Sequence, residues 1–179
     1  MYAIPGKRGE GKLGRKSVRE NKSVYQLARE RAELTLEEAG ERMDGMTADR
    51  VARLESGSAK LLPEDIVMMA ECYRAPELRN WFCSHECAIG RETVPAVESK
   101  SISQIAIETL NSLNRLTRMK DRFLEIVEDG RVRPDELEDF IAIKSTLDRI
   151  AASVGALQLW VDGQVAQGKL NADALRKDE

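Results

Sequence analysis

Aromatic residues make up only 4% of this 179-residue chain, and prolines number five. Strands and sandwiches draw on Tyr, Phe, Trp and Thr set between frequent turn residues, so the composition predicts an all-α chain. Histidine occurs once. With so little of it, no glycine-rich phosphate loop and no convergent carboxylate pair, the chain has scant catalytic equipment and is not expected to be an enzyme. Its acidic groups, Glu37-Glu38 and Glu136, Glu138 and Asp139, read more simply as helix-end and solvated charges. No apolar run nears the roughly 20 residues of a membrane span and no secretory signal opens the sequence, so a soluble, cytoplasmic protein with no membrane partner is expected. Three cysteines are an odd number and cannot form a self-contained disulfide framework, which agrees with a reducing compartment. Apolar residues, at 42%, suffice for a core, and the length allows one ordinary domain with an extension or two small ones.

The most informative stretch is Thr35 to Gly57, TLEEAGERMDGMTADRVARLESG. Thr35 followed three residues later by Glu38 is a capping-box start, so a helix begins near Leu36. Leu36, Ala39 and Met43 form one apolar face at spacings of three and four. Asp44-Gly45 ends the helix, because Gly takes the left-handed conformation that closes one. Thr47 is a new N-cap for a helix through Glu55 whose inward face is Val51 and Leu54. Thr47, Ala48, Asp49, Arg50 and Arg53 lie outward. A helix with short polar and Arg side chains can enter a DNA major groove about 12 Å wide.

Together with Val24-Tyr25-Gln26-Leu27-Ala28-Arg29 before it and the Arg53-Leu54-Glu55-Ser56-Gly57 ending and Leu62-Pro63 after it, the stretch resembles the lambda repressor and Cro-like (XRE-type) helix-turn-helix family over residues 24–75. The resemblance implies a five-helix DNA-binding domain and a role in transcription regulation. Two features depart from the family pattern. The turn Met43-Asp44-Gly45-Met46-Thr47 is one residue longer, and Gly40 takes a helix-interior position.

Net charge is −3, but it is unevenly spread. Residues 1–23 carry seven basic and two acidic groups, while residues 24–74 carry seven basic and eleven acidic ones. Attraction to phosphate is therefore expected from local placement of Arg50, Arg53 and Lys60, aided by the N-terminal arm. That arm, residues 1–22, has four glycines, one proline and no apolar periodicity after Ile4. Two readings stand for it: a solvated tail, or a strand of basic chain lying along DNA beside the main contact.

Ser23 to Glu33 reads as the first helix, with Leu27 and Ala28 inward and Arg29 or Arg31 available to the DNA backbone. Pro63 opens a further helix with Ile66, Val67, Met69, Ala70 and Tyr73 on its apolar side, and a short one follows from Glu77 to about Phe82. All three cysteines and the single histidine then fall within sixteen residues: Cys72, Cys83, His85 and Cys87. Cys₃His is a known tetrahedral zinc set, yet the spacing lacks paired C-x₂-C knuckles. Ordinary packing beside Trp81 and Phe82, zinc, and a redox-sensitive thiol pair all remain open. The segment Cys83 to Gly90 is also similar to one in Cro-like regulators of anaerobic Gram-positive bacteria, where a helical tail follows it.

Residues 91–100 read as a linker. Beyond it, Ile102, Ile105, Leu110, Leu113, Leu116, Phe123 and Ile126 recur at helical steps up to the stop at Asp129-Gly130, a helix of about 40 Å. Pro134 opens another, striped by Leu137, Phe140, Ile143, Leu147, Ile150, Val154, Leu157, Val161 and Val165 through to Gly168. Residues 101–170 are thus expected to form a long antiparallel helical hairpin, followed by a tail, 171–179. A lone hairpin cannot bury both faces of such stripes, including Trp160, so homodimerisation through these helices is expected.

The resulting expectation is a helix-turn-helix domain over residues 23–90 and a dimerising hairpin, acting on a palindromic double-stranded DNA site without a cofactor other than the zinc just weighed. The rival is a helical protein-interaction adaptor that keeps the scaffold without binding DNA. Deleting residues 1–20 is expected to weaken binding to all DNA sequences alike and to flatten the dependence of affinity on salt; an unchanged slope would mark the arm as a solvated tail.

Overall fold

Residues 22–175 are described by a computed structural model, and every regular element among them is helical. The basic arm apart from Lys22, and residues 176–179 of the tail, lie outside the described residues. The chain divides into two compact units between Ala59 and Lys60. This division falls well before residue 90, where the sequence pattern ends its first domain.

The first unit holds α1 (Val24–Arg31), α2 (Leu36–Arg42) and α3 (Ala48–Glu55). Each starts on a hydroxyl that accepts a backbone N–H two or three residues into the helix: Ser23 from Gln26, Thr35 from Glu38, and Thr47 from Arg50. At Thr35 the capping box is complete, since its own N–H donates to Glu38 Oε2 at 2.8 Å. Those bonds to the Thr35 backbone and hydroxyl hold the Glu38 carboxyl below the usual carboxylate range. In α1 the buried residues are Tyr25, Ala28 and Arg29, whereas Leu27, which periodicity places inward, is 45% exposed. Tyr25, Ala28 and Arg29 stand at i, i+3 and i+4, so the inward face is turned away from Leu27.

The turn from α2 to α3 accounts for both the Asp44-Gly45 pair and the glycine at position 40 inside α2. Asp44 and Gly45 take φ of 48° and 77°, two successive left-handed residues that reverse the chain in a tight space. Gly40 is buried, and a Cβ there would run into the carbonyl oxygen of Met46. The absent side chain is what lets the turn lie directly on α2.

The second unit holds α4 (Pro63–Cys72), α5 (Glu77–His85), α6 (Gly90–Thr93), α7 (Ile102–Val127), α8 (Leu137–Ala166) and α9 (Ala172–Leu175). In α4 and α5 the buried apolar side chains include Ile66, Met69, Leu78 and Phe82, and α6 sits against α5 where Gly90 meets the Cys83 carbonyl. α5 runs to His85, three residues past the expected Phe82, and α8 begins at Leu137 after a turn through Pro134.

Residues 94–100, expected as a linker, are tied down. The Asn80 amide donates to Pro95 O at 3.0 Å and accepts from the Val97 N–H at 2.9 Å, a two-bond clamp on the backbone. Val97 then seats over α8, its Cγ2 within 3.1 Å of where a Gly155 Cβ would stand.

α7 and α8 lie side by side in opposite directions: Arg122 Nε reaches Asp139 at 2.7 Å, and Met119 Sδ lies 3.9 Å from Thr146 Oγ1. Ile105, Thr109, Ser112, Leu116, Met119, Phe123 and Ile126 are the covered positions of α7, spaced alternately by four and three. Facing them are Ile143, Thr146, Ile150, Ser153 and Ala156. This is the heptad spacing of knobs-into-holes packing. Thr146 and Ser153 are tolerated inside because each hydroxyl donates to the carbonyl four residues earlier, Ala142 and Arg149.

Gly40→Ala is expected to destabilise the protein by about 1–3 kcal/mol through overpacking against Met46, while Gly163→Ala, in open space within α8, stabilises by roughly 0.5–1 kcal/mol. Urea unfolding of the two variants checks the contrast; equal effects would refute the close approach at Gly40.

Candidate nucleic-acid interface

α3 is sharply two-sided. Val51, Leu54 and Glu55 are buried, and Thr47, Asp49, Arg50 and Arg53 are exposed, with Ala48 half-buried between. A helix whose outward residues are Thr, Asp and two Arg presents hydrogen-bonding groups of both senses to a groove. Thr47 is partly committed, because its Oγ1 accepts the Arg50 N–H at 3.2 Å. Asp49 and Arg53 form an i,i+4 ion pair at 3.6 Å, both well exposed. Such a pair contributes little to stability, so it orients Arg53 and yields readily to a phosphate or base. Lys60 is exposed and opens the second unit.

What holds α3 is a buried ion pair. Arg29 Nε stands 2.9 and 3.1 Å from the two Glu55 oxygens, and its NH2 nitrogen donates to Glu55 Oε2 at 3.0 Å. The third arm of the guanidinium donates to the Leu34 carbonyl at 2.7 Å, at the corner between α1 and α2. Arg29 is 8% exposed and Glu55 4%. Arg29 is therefore not available to the DNA backbone, contrary to expectation, whereas Arg31 is exposed. The charge of Arg29 is matched inside the protein. Glu55 stands one residue after Leu54 and four after Val51, a spacing that puts its carboxylate on the buried face, and a buried carboxylate requires a cation.

The cysteine–histidine cluster does not assemble. Among the described residues no three His, Cys, Asp or Glu side chains converge on a geometry that could hold a metal ion. The reason is local. α5 extends to His85, so Cys83 and His85 point to different sides of one helix, and Cys87 lies past its end. The His85 ring stacks on Trp81 with centroids 3.7 Å apart, and its Nδ1 lies 2.9 Å from Ser84 Oγ and 3.1 Å from Trp81 O. Cys72, Cys83 and Cys87 are half-buried, and Cys87 Sγ accepts the Gly90 N–H at 3.5 Å. Of the readings open for Cys72, Cys83, His85 and Cys87, the described geometry supports packing and helix-end contacts over a zinc set. Trp81, expected beside them in a core, is 38% exposed.

Among the described residues no helix is long and apolar enough to cross a membrane. Comparison with protein-family models, with curated proteins and with solved structures gives no match.

Glu55→Gln is expected to cost about 3–5 kcal/mol, because it leaves the Arg29 guanidinium buried without its counter-charge. The double variant Arg29→Met, Glu55→Leu should recover most of that loss in chemical denaturation. A single-site cost under about 1 kcal/mol would mean the pair is exchangeable with water.

Proposed function

We propose that the protein is a sequence-specific DNA-binding transcription regulator of the lambda repressor and Cro-like kind, acting as a homodimer on a palindromic site. In this reading α1–α5 make up the DNA-reading domain and α7 with α8 make up a long antiparallel hairpin. One observation carries it: α3 follows a tight turn, is anchored from beneath by Val51, Leu54 and Glu55, and turns Thr47, Asp49, Arg50 and Arg53 to solvent. Sequence is read by such side chains on base edges, while cations such as Lys60 on phosphates set register without specificity.

The dimer rests on the hairpin's outer surface. On α7, Ala106, Leu110, Leu113, Thr117, Lys120, Leu124 and Val127 repeat the covered heptad displaced by one residue, all of them exposed and Lys120 the one charged position. On α8, Leu147, Ala151 and Val154 stand one residue after Thr146, Ile150 and Ser153. A one-residue step turns about 100° around a helix, and in two antiparallel helices these steps bring both sets to the same side. Leu110 and Leu124 are 60% and 58% exposed. Three apolar positions per heptad is the pattern of a helix inside a bundle. Two copies joined on this face carry two α3 helices in one molecule, which raises affinity through effective concentration.

Arg50→Ala is expected to weaken specific binding by about 1–3 kcal/mol with helicity unchanged. Leu113→Asp combined with Val154→Asp should convert dimer to monomer by light scattering and lower DNA affinity. A shift assay at low salt showing no binding by the unaltered chain favours the adaptor reading.

A further inference from the structure

A half-open cleft of about 460 Å³ is lined by residues 96–100 and the α7–α8 pair, a volume within the range of roughly 300–1,000 Å³ seen in small-ligand sites. We propose that it binds a small zwitterion with an apolar side chain, namely an aliphatic α-amino acid. This stands independently of the DNA-reading role.

The wall of the cavity is held at both ends by the protein itself. At Val97 the chain is fixed by the Asn80 clamp and by its seat over Gly155. At Lys100 it is fixed by two bonds from Nζ to the Glu108 oxygens, 2.9 and 2.7 Å long. Opposite these residues the lining side chains of α7 and α8 include the small Ser112, Ala152, Ser153 and Ala156. Short side chains beside an anchored segment leave room that the protein does not fill.

Charge selects the occupant. Four ionised side chains line the cavity: Glu98, Lys100, Glu108 and Arg149. Lys100 and Glu108 neutralise one another. That leaves one cation, Arg149, and one anion, Glu98, neither with an ion pair or side-chain hydrogen bond among the described residues. A simple carboxylate would match Arg149 but meet repulsion from Glu98, and an amine the reverse. A ligand carrying both charges on neighbouring atoms meets both, with a fork of guanidinium N–H groups on its carboxylate. The Asn111 amide, likewise without a partner among the described residues, adds a donor and an acceptor. The Val97 side chain and the methyls of Ala152 and Ala156 suit an aliphatic body.

The test is isothermal titration of the full chain, free of DNA, with L-leucine, L-isoleucine and L-valine, then with 4-methylpentanoate, which lacks the ammonium group, and leucinamide, which lacks the carboxylate. At least one amino acid should bind saturably, with both leucine analogues at least about tenfold weaker than leucine, the factor that corresponds to about 1.4 kcal/mol. Arg149→Ala and Glu98→Gln should each weaken the amino acid about tenfold or more. Both side chains are exposed, so thermal unfolding of the variants should match that of the unaltered chain. No saturable heat with any of the three amino acids overturns the proposal. So does equal binding of 4-methylpentanoate and leucine, or undiminished binding by Arg149→Ala. Because DNA is absent, a negative titration leaves the DNA-reading proposal standing, and a negative shift assay leaves this one standing.

Discussion

At the junction of α1 and α3 a guanidinium and a carboxylate are withdrawn from water, and the rest of the first unit is arranged about that contact. Arg29 meets Glu55 through several short bonds and also caps the Leu34 carbonyl, so one side chain ties the end of α3 to the corner where α1 passes into α2. Ions this deeply buried must be matched by geometry, because each alone would carry a large desolvation cost. The pair also fixes how α3 is rotated. With Glu55 turned inward, Arg53 two residues earlier is about 200° round the helix and faces out. The contact that stabilises the unit and the side that presents Asp49, Arg50 and Arg53 to solvent are thus consequences of one rotation.

The other end of α3 is held by backbone. Two left-handed residues, Asp44 and Gly45, bring Met46 down onto Gly40, and Thr47 then caps the new helix. Fastened at its start by close approach and at its end by an ion pair, α3 can expose polar side chains without needing them for stability. The weak Asp49–Arg53 pair on the outer side costs little to exchange for a ligand.

Much of this was legible from local chemistry. Thr35 and Thr47 are caps in fact as in expectation, Ser23 and Ser101 are caps as well, and the positive-φ residues Gly45 and Gly130 close elements where turn chemistry places them. Periodicity failed where pairing is non-local. It takes Leu27 as inward and Arg29 as outward, and nothing near Arg29 in sequence announces a carboxylate 26 residues away. In α7 and α8 it merges two heptad seams one residue apart into a single broad stripe. The covered seam includes Ser112, Thr146 and Ser153, which an apolar count passes over, while Leu110, Leu113 and Val154 stand outside. The Cys and His cluster left a zinc set open in sequence for the same reason: nearness along a helix is not convergence in space.

The central claim is that the outer side of α3 reads base edges and that two copies do so together. Selection of fragments bound by the full chain from a pool of random duplex DNA tests it most directly. The account predicts enrichment of a two-fold symmetric sequence with half-sites about one helical turn, or a multiple of it, apart. Recovery of fragments with no sequence bias at a salt concentration near physiological would contradict it.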